Sequence, residues 1–164
     1  MQQDIEFGII QIVDIALRAM SPAVNDPSTA ITCVDQLSRI MIQWISRVPP
    51  PSHYYAPPHV LRLVVPWMTL DGLLDTAFEQ IRHYAVADLA VSLRLIRALS
   101  DIAAATQFAD LRQRLLDRAR RVAGGCAAHL PKDELAKLQQ RLATFSKSVA
   151  ADQPNIEIGV QSGN

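Results

Sequence analysis

Residues 5–20 read IEFGIIQIVDIALRAM and run, after Ser21-Pro22, into Asn25-Asp26-Pro27. At about 100° of rotation per residue, Ile5, Ile9, Ile10, Ile12, Val13, Ile15, Ala16, Leu17 and Met20 spread over most of a helix circumference. Gln11, Asp14 and Arg18 fall on one narrow stripe. A helix apolar nearly all round is expected to be buried, and polar groups buried with it must find partners or cost several kcal/mol. Asp14 and Arg18 stand four apart and can pair with each other. Proline lacks an N–H and disfavours helix at the residue before it, so Ser21-Pro22 ends the helix. Asp26 or Ser28 then caps the next one, with Pro27 in its first turn. The stripe and the turn make one corner, which either ties the fold together or lines a pocket.

From Ser28 to Val48 the apolar residues Ile31, Val34, Leu37, Met41, Ile42 and Ile45 recur at spacings of three and four, opposite Asp35, Gln36, Arg39 and Arg47. This predicts a second, amphipathic helix packed antiparallel on the first, with Asp35 and Arg39 paired on its wet face. Pro49-Pro50-Pro51 ends it and opens an irregular stretch through Pro57-Pro58. Val60–Val65 reads as a short strand. Its backbone needs a partner, and a hairpin with His53–Ala56 ranks ahead of an added edge from Ile156–Val160.

Thr69 offers the cap of a third helix with Leu70, Leu73, Leu74, Ala77, Phe78 and Ile81 inward. After Tyr84–Ala87 the pattern resumes through Leu89, Leu93, Ile96, Leu99 and Ala103, widened by Val91, Leu95 and Ile102, which predicts a deeply buried fourth helix. Phe108, Leu111, Leu115, Ala119 and Val122 define a fifth, ended by Gly124-Gly125, since glycine accepts left-handed conformations. Pro131, Asp133 and Glu134 suit the start of a sixth. Its Leu135, Leu138, Leu142, Phe145 and Val149 form a narrow seam of the kind used in helix pairing.

The fold expected is therefore mainly α: a bundle of about six helices with a small β-hairpin or strand between helices two and three. Residues 1–150 would form a single domain and 151–164 a flexible tail. The 164 residues are 49% hydrophobic, ample for one core, and Lys plus Arg, 16, equal Asp plus Glu, 16. No global field steers the molecule toward nucleic acid, which is not expected as a partner. The arginines of helix five, Arg112, Arg114, Arg118, Arg120 and Arg121, are the only basic concentration. Asp110 and Asp117 are mixed among them, so a solvated face is preferred to a lipid or nucleic-acid site. No apolar run reaches the roughly 18 residues of a membrane span, and no secretion signal leads the chain.

Cys33 and Cys126 lack any CxxC spacing, so two reduced thiols are expected. His53, His59, His83 and His129 are scattered, and neither metal nor cofactor is expected. No catalytic signature of the GxSxG, P-loop or dinucleotide type is present. An enzyme would have to use Asp14 or Asp26 as a general base, with Arg18 holding an anion.

The run Phe7-Gly8, Gln11 to Pro22, then Asn25-Asp26-Pro27 with Thr29-Ala30, resembles a bacterial family of predicted membrane proteins known as domain of unknown function 2254. Arg62 to Pro66, Ala77-Phe78, Gln80 to Tyr84 and Leu93 to Leu99 are similar to its later blocks. The resemblance covers residues 5 to about 125. It implies transmembrane helices before this region, absent from this chain, and a soluble part on the cytoplasmic face of the bacterial inner membrane. It supplies no reaction. It directs attention to Asp14, Arg18, Ser21, Asn25 and Asp26, with Pro22 and Pro27, as a candidate ligand-binding site. The expected function is a regulatory or assembly domain of a membrane protein. Its partners would be further copies, through the helix-six seam or the strand edge, and the membrane-spanning region. The alternative is small-ligand binding or hydrolysis at the Asp14 corner.

Overall fold

The computed structural model describes residues 5–47, 52–64 and 69–151. Among these the chain forms α1 (Ile5–Ala19), α2 (Pro27–Ile45), a hairpin of β1 (His53–Ala56) and β2 (Val60–Val64), α3 (Leu70–Tyr84), a 3-10 turn (Ala85–Ala87), α4 (Leu89–Ala104), α5 (Ala109–Cys126) and α6 (Lys132–Ala151). The six helices and the hairpin between the second and third are those the periodicities predict. The expected end of helix two at Val48, the Pro49-Pro50-Pro51 stop, the Ile156–Val160 segment and the tail from 152 lie outside the described residues.

Helix α4 is the centre. It packs against α2, α5 and α6, and Val91, Leu95, Ile96, Leu99 and Ile102 are buried almost completely. Ser92 is buried with them because its hydroxyl donates to the carbonyl of Ala85 at 2.9 Å and contacts Cys126 Sγ at 3.3 Å. A buried hydroxyl with partners avoids the penalty of an unpaired one. The cap expected at Thr69 is present, and α4 has one that periodicity did not single out, Asp88. Thr69 Oγ1 accepts from Gly72 N at 3.1 Å at the start of α3, and Asp88 Oδ1 accepts from Val91 N at 2.9 Å at the start of α4. Helix α6 lays Leu138, Phe145 and Val149 against α4 and α5. Its seam is therefore used inside the chain and is not free for a second copy.

Four sequence expectations are corrected. Helix α1 is not buried all round: it contacts α2 and α3, and these cover only the arc of Ile9, Val13, Ala16 and Ala19. Phe7 and Ile15 stay 61% and 49% exposed. Asp35 pairs not with Arg39 but with Arg94 of α4, because that face of α2 meets a neighbour while Arg39 points to water. Gly124-Gly125 does not end α5, which runs on to Cys126, and among the described residues no glycine has a positive φ. A Cβ at Gly125 would meet Val86 Cγ1 and the Arg82 guanidinium at 3.5 Å, an ordinary packing distance. Phe108, placed by periodicity on the inner face of helix five, precedes that helix and is 72% exposed.

The hairpin pairs His53 with Val64, Tyr54 with Leu63, Tyr55 with Leu61 and Ala56 with Val60. The shift between Tyr54 and Tyr55 leaves Arg62 as the extra residue of a bulge. Pro57–Pro58, in the connecting turn, is a cis bond.

Candidate functional site

The corner between α1 and α2 is built by backbone bonds. Ser21 O accepts from Val24 N at 3.1 Å and Asn25 N at 2.9 Å, and Ala19 O accepts from Asp26 N at 2.8 Å. Asn25 adopts φ 49°, in the left-handed region that asparagine tolerates better than most side chains. Asp26 is the N-cap. Its Oδ1 accepts from Thr29 N at 3.2 Å and its Oδ2 from Thr29 Oγ1 at 2.6 Å. The Thr29 hydroxyl, then the Thr29 N–H, hold the Asp26 carboxyl below the usual aspartate range. That carboxylate is committed to the helix start.

Asp14 is half-buried and Arg18 exposed, one turn apart on the outward face of α1. Among the described residues they make no ion pair with each other or with any other group. The structure thus brings Ser21, Asn25 and Asp26 together in one turn. Asp14 and Arg18 stand apart from it along the helix, beside Phe7, Ile10 and Ile15.

Two concavities elsewhere in the bundle carry no free chemistry. One, between α3, α4 and α5, has Leu74, Phe78, Leu95 and Leu99 as its floor, and the charges at its rim are paired. Glu79 accepts from Arg82, which lowers the carboxyl and raises the guanidinium. Arg118 reaches Asp71 at 2.9 Å and Asp75 at 2.5 Å. The other, lined by Ser100, Ala103, Arg112 and Val149, is a shallow depression between α4, α5 and α6. Neither touches the Asp14 corner. Among the described residues no three His, Cys, Asp or Glu side chains converge as metal ligands. Cys33 and Cys126 are unbridged and buried, and burial pushes the Cys33 thiol up.

What the fold does expose is apolar surface. Tyr54, Tyr55, Val60, Leu61, Leu63 and Val64 are all exposed on a hairpin whose strands pack chiefly on each other. Neither this nor the outward face of α1 was singled out by periodicity, which ranks residues along an element without saying what lies across from it.

Among the described residues the chain is a helical bundle with a small hairpin, in which most of the charges at the concavities are paired and the apolar faces of α1 and the hairpin are exposed. The chain belongs to the family of predicted membrane proteins called domain of unknown function 2254, whose sequence model matches residues 1–101. It is 38% identical over 123 residues to uncharacterised proteins of Mycobacterium bovis and Mycobacterium tuberculosis. That match covers 75% of this chain and 22% of theirs, so the chain spans about a fifth of the curated relatives' length. No solved structure matches it. Among the described residues no helix is long and apolar enough to cross a membrane.

Proposed function

We propose that this chain is a regulatory or assembly domain of a bacterial membrane protein, held at the cytoplasmic face, and that it works by self-association through the outward face of α1. The observation that carries this reading is the unpartnered surface of that helix. Phe7, Ile10 and Ile15 are exposed there, with the unpaired Asp14 and Arg18 among them. Two copies of α1 packed antiparallel about a two-fold axis place each Asp14 beside the partner's Arg18, whereas a parallel pair would oppose like charges. The flanking apolar groups are half-covered already, so each adds only about 1 kcal/mol on burial. The dimer is accordingly weak alone and strengthened where subunits are concentrated.

Sedimentation velocity over a wide concentration range tests this. The chain should dimerise toward high micromolar concentration, Asp14→Arg should be monomeric, and the exchange Asp14→Arg with Arg18→Asp should restore the dimer. A wild-type monomer at every concentration, or a single variant as dimeric as the wild type, sinks the reading.

A further inference from the structure

Exposed apolar residues are densest on the hairpin, where Tyr54, Tyr55, Val60, Leu61, Leu63 and Val64 are all exposed. Helices α1 and α2 are antiparallel neighbours joined by the turn at residues 20–26, so α1 begins where α2 ends. The chain leaves α2 there, forms the hairpin and enters α3. Arg114 and Arg118, early in α5, reach Asp71 and Asp75, early in α3. Helices α3 and α5 therefore start at this same end, and Phe108 with them. Phe7 near the start of α1, Phe108 just before α5 and the hairpin's Tyr54, Tyr55, Leu61 and Leu63 are each exposed.

A two-stranded ribbon is marginal in water unless something covers a face, and among the described residues the strands pack chiefly on each other. Its charge pattern says what suits it. From Gln36 to Leu70 the sequence contains no aspartate or glutamate, while Arg39, Arg47, Arg62, His53 and His59 fall in that span. A hairpin that combines aliphatic side chains and tyrosines with Arg62 and has no carboxylate of its own matches the boundary between acyl chains and anionic headgroups. Arg62, extruded at the bulge, has a stem long enough to lie along the apolar layer while its guanidinium stays among phosphates. A protein partner would also cover apolar residues, but a hairpin whose one full charge is Arg62 favours an anionic surface.

We propose that the hairpin end of the bundle docks on an anionic bilayer, with the hairpin tip entering its interfacial layer. This rests on the reading of the chain as part of a membrane protein and is independent of the pairing of α1. The test is flotation of the full chain with vesicles of phosphatidylcholine alone and of phosphatidylcholine with 30% phosphatidylglycerol, at low and high salt. Wild type should float with the anionic vesicles, at least about tenfold more weakly with the neutral ones, and less at high salt, as screened surface charge requires. The double variant Leu61→Glu, Leu63→Glu should lose the binding about tenfold or more with unchanged circular dichroism, whereas Ile15→Glu should keep it. Binding that survives in the hairpin variant, or wild type that ignores anionic vesicles, overturns the proposal. A hairpin variant that stays folded yet loses dimerisation, with no vesicle binding by wild type, would give the hairpin to a second copy instead. Loss of dimerisation by Ile15→Glu with vesicle binding intact leaves the docking standing whatever becomes of the bound state's stoichiometry.

Discussion

Asp26 shows how much a single side chain settles at the first corner. Both carboxylate oxygens accept hydrogen bonds from Thr29, and these bonds favour the ionised form, which is why its pKa lies below the ordinary value near about 3.9. A depressed folded-state pKa means that the stabilisation is complete above the unfolded value and is lost as pH falls through the folded one. Asparagine caps nearly as well without titrating. Urea midpoints of wild type and Asp26→Asn should therefore differ most above about pH 5, with wild type the more stable, and converge in stronger acid. Parallel curves at all pH values would show that the charge contributes nothing. The sequence narrowed the cap to Asp26 or Ser28, because Pro27 suits the first helical turn, and the Thr29 bonds decide for Asp26. The free state of Asp14 and Arg18 was not legible there, because spacing shows which groups can meet and leaves open whether they do.

At the scale of elements, the charges of α5 act as fasteners to α3. Arg118 has only 12% of its side chain exposed and bridges Asp71 and Asp75, one turn apart on the neighbouring helix. Two carboxylates at different positions suit the fork of a guanidinium, and a lysine's single ammonium cannot serve both as well. Arg118→Lys should cost about 1–2 kcal/mol in urea unfolding. Arg97→Ala, by contrast, removes an exposed pair with Asp101 one turn along α4, and should change stability by less than about 0.5 kcal/mol. Equal effects of the two substitutions would refute the fastening role. The same logic explains the partner of Asp35: the pattern along α2 offered Arg39, but Arg94 approaches from α4. The glycine pair misled for a related reason. Glycine signals a helix end only where the backbone turns left-handed, and here α5 runs on through both glycines to Cys126.

For the whole molecule, self-association has a thermodynamic signature of its own. A partner that binds only the folded chain raises stability by RT ln(1 + [L]/Kd), about 1.4 kcal/mol at tenfold above Kd. Raising the chain from about 1 to about 100 µM should lift the thermal midpoint of wild type by a few degrees, and leave that of Ile15→Glu unchanged; a wild-type midpoint insensitive to concentration speaks for a monomer. The six helices, the Thr69 cap and the hairpin followed from the sequence, because three-four periodicity and turn chemistry are local properties of neighbouring residues, and the family followed from the resemblance of its sequence blocks. Which arc of α1 is covered, that the α6 seam is used internally, that Arg118 closes on α3 and that the hairpin stands clear of the bundle were decided by the tertiary structure. Burial and ion pairing depend on what packs across from a side chain, and that neighbour is distant in sequence: Arg94 for Asp35 and Arg118 for Asp71.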